Sequence, residues 1–415
     1  MSAPAQDRDQ GALRHECLRD ECPLDQGVLR HECPLDQGVP LWAGAAHGFP
    51  ADRLDEFLLW AADRGASDIA FQTGSPAFVE IDGNLRRATA APLDGVVMGR
   101  LCERLYDATG EGILRSGRAI DCSHTIQLAR GLFRRFRCNL APVQGAAGFA
   151  VNITLRVLPG RPPTFTELGI EDGIVRAWDL CKGLVLVTGV PGSGKSTLLA
   201  AGTRHLLERG AGRIQSYEAP IEYVFDGIAT DSALMSSAEI PRHFPSFADG
   251  LRSSLRRRPS AVIVGEARDR ETVEAVVKAA DYGIAVFSTA HTIGVAATVR
   301  RMLAEFPADE RAERGAALID AMTLVVTQVL LPNPNGGRTA LREWLAFDAG
   351  LKAALLESPQ ASWPARIAAA LAATGNDLAA AARKAHAGGL IEDEGLRRML
   401  AGGEVPGMTE GDAGT

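Results

Sequence analysis

Gly189, Gly194, Lys195 and Ser196 stand at the spacing of a phosphate-binding loop: two glycines with four residues between them, followed at once by a lysine and a hydroxyl. Glycines without side chains let successive backbone N–H groups wrap a polyphosphate. Lys195 is then placed to neutralise the β and γ phosphates, and Ser196 to hold Mg²⁺. Pro191, Gly192, Ser193 and Thr197 complete the nucleotide-binding segment. The run Leu-Val-Leu-Val-Thr over residues 184–188 reads as a strand entering this loop, and Thr197-Leu-Leu-Ala-Ala as a helix leaving it. A helix opening at Ser196 adds its N-terminal partial positive charge to the same anion site. The bland alternative is a glycine-rich turn between a buried strand and a helix. The strand and helix flanks favour the nucleotide site.

Three further strand ends bring polar groups toward one edge. The strand at 213–217 ends in Glu218-Ala-Pro-Ile-Glu222, the apolar run Ala261-Val-Ile-Val264 ends in Gly265-Glu266-Ala-Arg-Asp269, and the run at 284–287 ends in Ser288-Thr289-Ala290-His291. Open α/β sheets place ligands beyond the carboxyl ends of their strands, so Glu218 is expected near the γ phosphate. Glu266 has the form of an acid that engages Mg²⁺ directly or through water. A lone glutamate after a strand is ordinarily an N-cap or a surface charge. Three such ends together with the loop define a nucleotide site.

The chain around this site has 415 residues, enough for two or three domains, and a hydrophobic fraction of 46%, that of a folded protein. A net charge of −7 gives no electrostatic reason to expect general nucleic-acid binding. No apolar run approaches bilayer length and the polar N-terminus lacks a signal-peptide core, so a cytosolic protein is expected. Seven scattered cysteines fit reduced thiols rather than a disulfide framework.

Residues 1–48 stand apart as a tail in which Glu-Cys-Pro-Leu-Asp-Gln-Gly-Val occurs at 21–28 and again at 32–39. His15, Cys17, Cys22, His31 and Cys33 lack the paired Cys-x-x-Cys form of a zinc site, and a duplicated, disordered segment is the expectation. Residues 49–158 read as a small α+β domain: a helix with Leu54, Phe57, Leu58 and Ala61 on one face, then strands at 68–72 and 77–81, an Asp82-Gly83-Asn84 turn, and a helix at 96–108. Strands at 119–129, 131–140 and 149–157 complete it. The proline-rich Leu158-Pro-Gly-Arg-Pro-Pro163 reads as a linker. Arg134, Arg135 and Arg137 share one strand and Arg156 lies on the next. Either they form a solvated basic face or some of them reach a bound phosphate. Residues 159–348 carry the loop and the three strand ends. Within them, 241–259 reads as a basic surface helix with Phe247, Leu251 and Leu255 on its apolar face. Residues 349–415 read as alanine-rich helices at 351–356, 363–373, 378–385 and 394–400 with a disordered acidic tail.

The ordered set Gly-Ala-Ser-Asp-Ile69, Phe136-Arg-Cys-Asn139, the phosphate loop, Glu-Ala-Pro-Ile-Glu222, Val-Gly-Glu-Ala-Arg-Asp269 and Ser-Thr-Ala-His291 resembles the secretion and type IV pilus ATPases, the PilT and GspE superfamily. Ser237-Ala-Glu-Ile-Pro-Arg-His243, residues 304–311 and Thr327-Gln-Val-Leu330 resemble the DotB and plasmid-transfer TraJ branch. The resemblance implies an α/β fold in which a RecA-like P-loop domain follows a PAS-like N-terminal domain, with nucleotide between the two. It also implies a cytosolic homohexameric ring that uses ATP and Mg²⁺, works with the inner-membrane and cytosolic components of a secretion, conjugation or pilus machine, and sits peripherally on it. By the same resemblance Glu218 polarises the attacking water, Glu222 belongs to the same acidic box, and Glu266 and His291 match the Walker B glutamate and the histidine box. Arg137 and Arg156 match two N-domain arginines that contact a γ phosphate in trans. This chain departs at Ala219, where the family usually has aspartate, and at Ile284, where it usually has a first histidine. Those departures keep open an ATP-binding ring scaffold with little hydrolysis beside the motor reading. A RecA-like DNA helicase shares the core fold, but the acidic balance argues against it.

Overall fold

The computed structural model describes residues 41–401 apart from 46, 47, 82, 130, 131, 147, 159, 180 and 181. The N-terminal repeat and its candidate zinc ligands, the turn residue Asp82, the strand residue Gly131, the linker residue Pro159 and the acidic tail all lie outside the described residues.

Helix α1 (Leu54–Ala62) buries Leu54, Phe57, Leu58 and Ala61 completely, as its helical spacing demands. Its Phe57 ring meets Phe71 of β1 (Asp68–Gln72); β2 (Phe78–Ile81) and β3 (Asn84–Arg87) follow, then α2 (Gly95–Leu105) and α3 (Gly110–Arg115) precede β4 (Ile120–Ala129), β5 (Leu132–Gly145) and β6 (Gly148–Leu158). The six strands form one antiparallel sheet in the order β3-β2-β1-β6-β5-β4. The short elements β3 and α3 were not expected. The β3 strand is nearly all exposed, with Leu85 63% accessible, so it has no apolar alternation to announce it. Residues 41–45, placed in the tail by composition, instead join this fold: Trp42 is 7% exposed and its ring meets Phe49 and Phe57 at 5.5 and 5.2 Å.

The second sheet begins after α4 (Asp172–Asp179) with β7 (Gly183–Thr188), the strand expected ahead of the loop, and α5 (Lys195–Glu208), the helix expected after it. It continues through β8 (Gly212–Glu218), β9 (Ala233–Glu239), α6 (Phe247–Ser254), β10 (Ala261–Val264), α7 (Arg270–Asp281), β11 (Ala285–Ala290), α8 (Val295–Ala304), α9 (Arg311–Ala321), β12 (Met322–Pro332) and β13 (Arg338–Ala346). Strand order is β13-β12-β7-β11-β10-β8-β9, parallel throughout except for the antiparallel edge strand β13. A parallel sheet is covered on both faces, so its central strands read as unbroken apolar runs. In β7 every residue is buried, and the faces alternate: Leu184 and Leu186 join the core under α6 to α11, Val185 and Val187 the core under α4 and α5. Strands β9, β12 and β13 and helix α4 go beyond expectation. The edge strand β9 is half exposed and polar along Ser236 and Ser237, which hides it from a search for apolar runs.

Ser288, Thr289 and Ala290, expected beyond the end of their strand, are its last residues, and His291 follows directly. The basic stretch forms α6 followed by a 3₁₀ turn at Leu255–Arg257, with Arg242, Arg252, Arg256, Arg257 and Arg258 exposed. Arg252 pairs with Asp249 and Glu271, as befits a solvated face.

Helices α10 (Ala349–Leu356) and α11 (Trp363–Thr374) are appended in sequence but share the main core through Leu355, Trp363, Ile367 and Leu371. Helices α12 (Leu378–Ala387) and α13 (Asp393–Leu400) enclose a smaller core with Val329, Leu331 and Leu341 of the β12–β13 hairpin, against which Val190 of the phosphate loop also packs.

Candidate nucleotide site

Strand β7 ends at Thr188, and the chain turns through Gly189 at φ +142°. A Cβ on Gly189 would lie 2.3 Å from the Gln328 carbonyl oxygen, so only glycine closes this turn. Gly194, at φ +84°, caps α5 and leaves the first-turn N–H groups of that helix facing outward. Beside them opens a cleft of about 580 Å³ whose walls come from both sheets.

Pro191, Gly192, Gly194, Lys195, Ser196 and Thr197 line this cleft, together with Glu218, Glu222, Glu266 and His291 from the ends of β8, β10 and β11. Arg137 and Arg156 line it from the other sheet, where β5 and β6 place them directly opposite one another. Expected to act in trans, these two arginines are brought to the cleft by the chain that carries the loop. Arg137 Nη1 stands 4.0 Å from Glu222 Oε1, and Arg156 Nε donates to Asp68 Oδ1 at 3.0 Å. Two residues of the expected segment do not line the cleft. Gly189 shapes the turn, and Ser193, 2% exposed, points its carbonyl inward to accept from Gln328 Nε2 at 2.7 Å.

Lys195 Nζ donates to the Gly189 and Val190 carbonyls at 2.8 and 2.9 Å and lies 3.4 Å from His291 Nδ1. Burial pulls its ammonium down to about 8, while Glu266 and Glu222 oppose the shift. His291 Nε2 lies 3.3 Å from Glu266 Oε1, and burial followed by Lys195 holds the imidazole below its ordinary pKa. A neutral ring that accepts at Nδ1 from Lys195 and donates from Nε2 to Glu266 satisfies all three groups.

The Glu218 carboxyl is raised to about 7, first by burial and then by the charge of Glu222, with Arg135 opposing. Glu239 is a functional candidate that sequence reasoning left aside, and Arg135, weighed there only as one arginine of a basic strand, is a second that the resemblance did not single out. Arg135 is 4% exposed, donates from Nε to Thr125 Oγ1 at 3.0 Å, and has a buried Nη1 without a hydrogen-bond partner among the described residues. Its strongest charged neighbours are Glu218 and Glu239, and burial lowers its own pKa. Glu239, 2% exposed at the end of β9, accepts from Ser123 Oγ of the antiparallel sheet at 2.7 Å and from the Ile221 N–H at 3.3 Å. The signal available was the pattern Arg-Phe-Arg at 135–137, whose alternation puts both arginines on one face of β5.

Ala219 lines the cleft beside Glu218, whereas Ile284 sits at the opposite end of β11 from His291 and packs against the main core. The second departure thus does not line the cleft.

A parallel sheet with a glycine loop at one strand end and acids at its neighbours defines a RecA-like P-loop ATPase. The family model described as type II/IV secretion system protein matches residues 49–348, and the chain belongs to that family. The type IV pilus retractation ATPase PilT of Pseudomonas aeruginosa is 34% identical over 294 residues, covering 70% of this chain and 81% of that protein. The structure of the Legionella pneumophila ATPase DotB aligns at a TM-score of 0.81 with 36% identity, over 86% of this chain and 97% of that one. The pilus retraction motor PilT with bound ADP aligns at 0.72 with 29% identity, over 83% and 96%. The protein is a secretion-family ATPase akin to DotB, and among its described residues no helix is long and apolar enough to cross a membrane.

Proposed function

We propose that this ATPase is one subunit of a homohexameric ring that hydrolyses ATP with Mg²⁺ and converts the energy into movement of one sheet against the other. The ring would work at the cytoplasmic base of a type IV secretion, conjugative-transfer or pilus machine, peripherally bound to its inner-membrane components and without direct nucleic-acid contact. Its working units would be residues 49–158, 159–348 and 349–415. The observation that carries this reading is one cleft holding Lys195, Glu218, Glu266 and His291 from one sheet and Arg137 and Arg156 from the other. A ligand that binds both walls favours their approach, and its cleavage releases them.

In this reading the α5 N-terminus and Lys195 bind the phosphates, and Arg137 and Arg156 meet the γ phosphate across the cleft. The Ser196 hydroxyl and the Glu266 carboxylate are hard oxygen donors on the same cleft wall, the donor type that Mg²⁺ accepts. The ion supplies charge neutralisation on the transferring phosphoryl group. Glu218, poised near neutrality, takes the proton of the attacking water, with Glu222 beside it.

The test is steady-state ATP hydrolysis of the full chain, with assembly state measured on the same samples, for wild type, Lys195→Ala and Glu266→Gln. Hydrolysis by a hexamer, reduced in both variants by about 10²-fold or more, is the expected result. A ring that binds ATP with no turnover above the variants would establish the scaffold instead. Salt-sensitive DNA binding would favour the helicase.

A further inference from the structure

The connector that leaves β6 is gripped at three points by the sheet that carries the phosphate loop. Arg204 of α5 donates from Nη1 to the Pro162 carbonyl at 2.8 Å. Phe165 enters the core 5.6 Å from the Trp178 ring, behind a turn in which Thr164 Oγ1 accepts from the Glu167 N–H at 3.0 Å. The third grip is Arg342 of β13. Its Nη2 donates to the Leu168 carbonyl at 3.1 Å, and its Nη1 to the Gly169 carbonyl at 3.3 Å and to Glu171 Oε2 at 3.4 Å.

The same guanidinium continues inward. Arg342 Nε donates to Gln328 Oε1 at 2.8 Å, and Gln328 Nε2 donates to the Ser193 carbonyl at 2.7 Å. Arg342 and Gln328 are 5% and 4% exposed, and neither lines the nucleotide cleft. Gln328 is also the close neighbour that requires glycine on both sides of the loop, its carbonyl oxygen at Gly189 and its amide nitrogen at Gly194. A buried arginine is a costly way to stabilise a fold, because well-packed apolar side chains of similar volume do as well or better. What a guanidinium with a partner at each of its three nitrogens adds is a fixed geometry among the groups it touches, since leaving any one of them unpaired in the interior is penalised.

We propose that Arg342 and Gln328 are positioning residues that pin the Ser193 carbonyl, and with it the shape of the phosphate loop, to the connector between the two sheets. Movement of the antiparallel sheet then pulls on leucine and glycine carbonyls of the connector and is felt at the loop through two side chains. By reciprocity, nucleotide on the loop biases the connector. The proposal rests on the nucleotide reading above.

The test uses the full chain with Gln328→Ala, Gln328→Glu, Arg342→Met and the double variant Gln328→Ala/Arg342→Met. Affinity for a fluorescent ATP analogue, KM for ATP and the thermal midpoint are measured on each. Gln328→Glu keeps a partner for Arg342 but has no proton to give the Ser193 carbonyl. It is expected to melt within a few degrees of wild type and yet bind the analogue about tenfold more weakly, the equivalent of one lost hydrogen bond. Gln328→Ala and Arg342→Met are each expected to raise KM about tenfold, and the double variant no further than the larger single effect, because they break one relay. Wild-type affinity in Gln328→Glu, or effects of the two single variants that multiply in the double, would overturn the proposal. If wild type itself binds no nucleotide, the nucleotide reading fails, and that outcome is distinct from a relay failure in a binding-competent wild type.

Discussion

Glu218 shows how a single carboxylate is tuned by what lies around it. Burial and Glu222 raise it to about 7 from 4.5, so the folded protein holds its proton where the unfolded chain has lost it. Its contribution to stability is therefore fully present at pH 4 and falls away as pH rises through 7. Glu218→Gln is expected to be more stable than wild type at pH 8, by up to about 2–3 kcal/mol on this linkage, and indistinguishable from it near pH 4. Urea melts at the two pH values measure this. The same substitution is expected to reduce hydrolysis by roughly 10²–10⁴-fold, and the wild-type rate to climb as pH rises through about 7. Arg135 opposes the shift from the other sheet. Arg135→Met is therefore expected to move the acidic limb of the pH–rate profile to higher pH without weakening binding of a fluorescent nucleotide. An unmoved limb would remove Arg135 from the account.

At the scale of the element, helix α5 combines two demands. Its N-terminus must face the cleft, while Leu198, Ala201 and Leu207 must pack on the sheet. Gly202 is where the helix meets Trp178 of α4: a Cβ there would lie 2.0 Å from the indole, which in turn stacks on Phe287 of β11 at 4.7 Å. Trp178, 1% exposed, thus joins α4, α5 and β11 in one packed unit behind the loop. Trp178→Ala is expected to lower stability by about 3–5 kcal/mol, read by urea unfolding, because a large cavity is left among rigid neighbours. Gly202→Ala is expected to destabilise as well, despite the better helix propensity of alanine, because the indole has no free direction in which to yield.

For the whole molecule, the C-terminal helices change what a deletion can mean. Residues 349–374 supply Leu355, Trp363, Ile367 and Leu371 to the main core, so removing them tests folding. Helices α12 and α13 are a different case, since their small core touches the loop through Val190. Truncation after residue 376 is expected to leave the main core folded but to weaken nucleotide binding several-fold, as the exposed Val329, Leu331 and Leu341 no longer back the loop. A nucleotide titration on the truncated chain, with circular dichroism to check folding, decides this. Unchanged affinity would show that α12 and α13 serve other contacts.

The phosphate loop, the strands beside it and the acids at their ends were legible because each is local. Glycine spacing, unbroken apolar runs and a polar residue after a strand are set by backbone sterics and burial within a few residues of one another. The resemblance to secretion ATPases rested on the order of those motifs together with Gly-Ala-Ser-Asp-Ile69 and Phe136-Arg-Cys-Asn139 ahead of them. Strand β9, the burial of Trp42, the sharing of one core by α10 and α11, and the meeting of Arg135 with Glu218 were decided by tertiary structure alone. Each depends on which distant surface covers a residue, and an edge strand or a basic strand reads as solvated until its partner is in place. The relay from Arg342 through Gln328 to Ser193 joins positions 149 and 135 residues apart from the loop carbonyl, a distance over which no spacing rule operates.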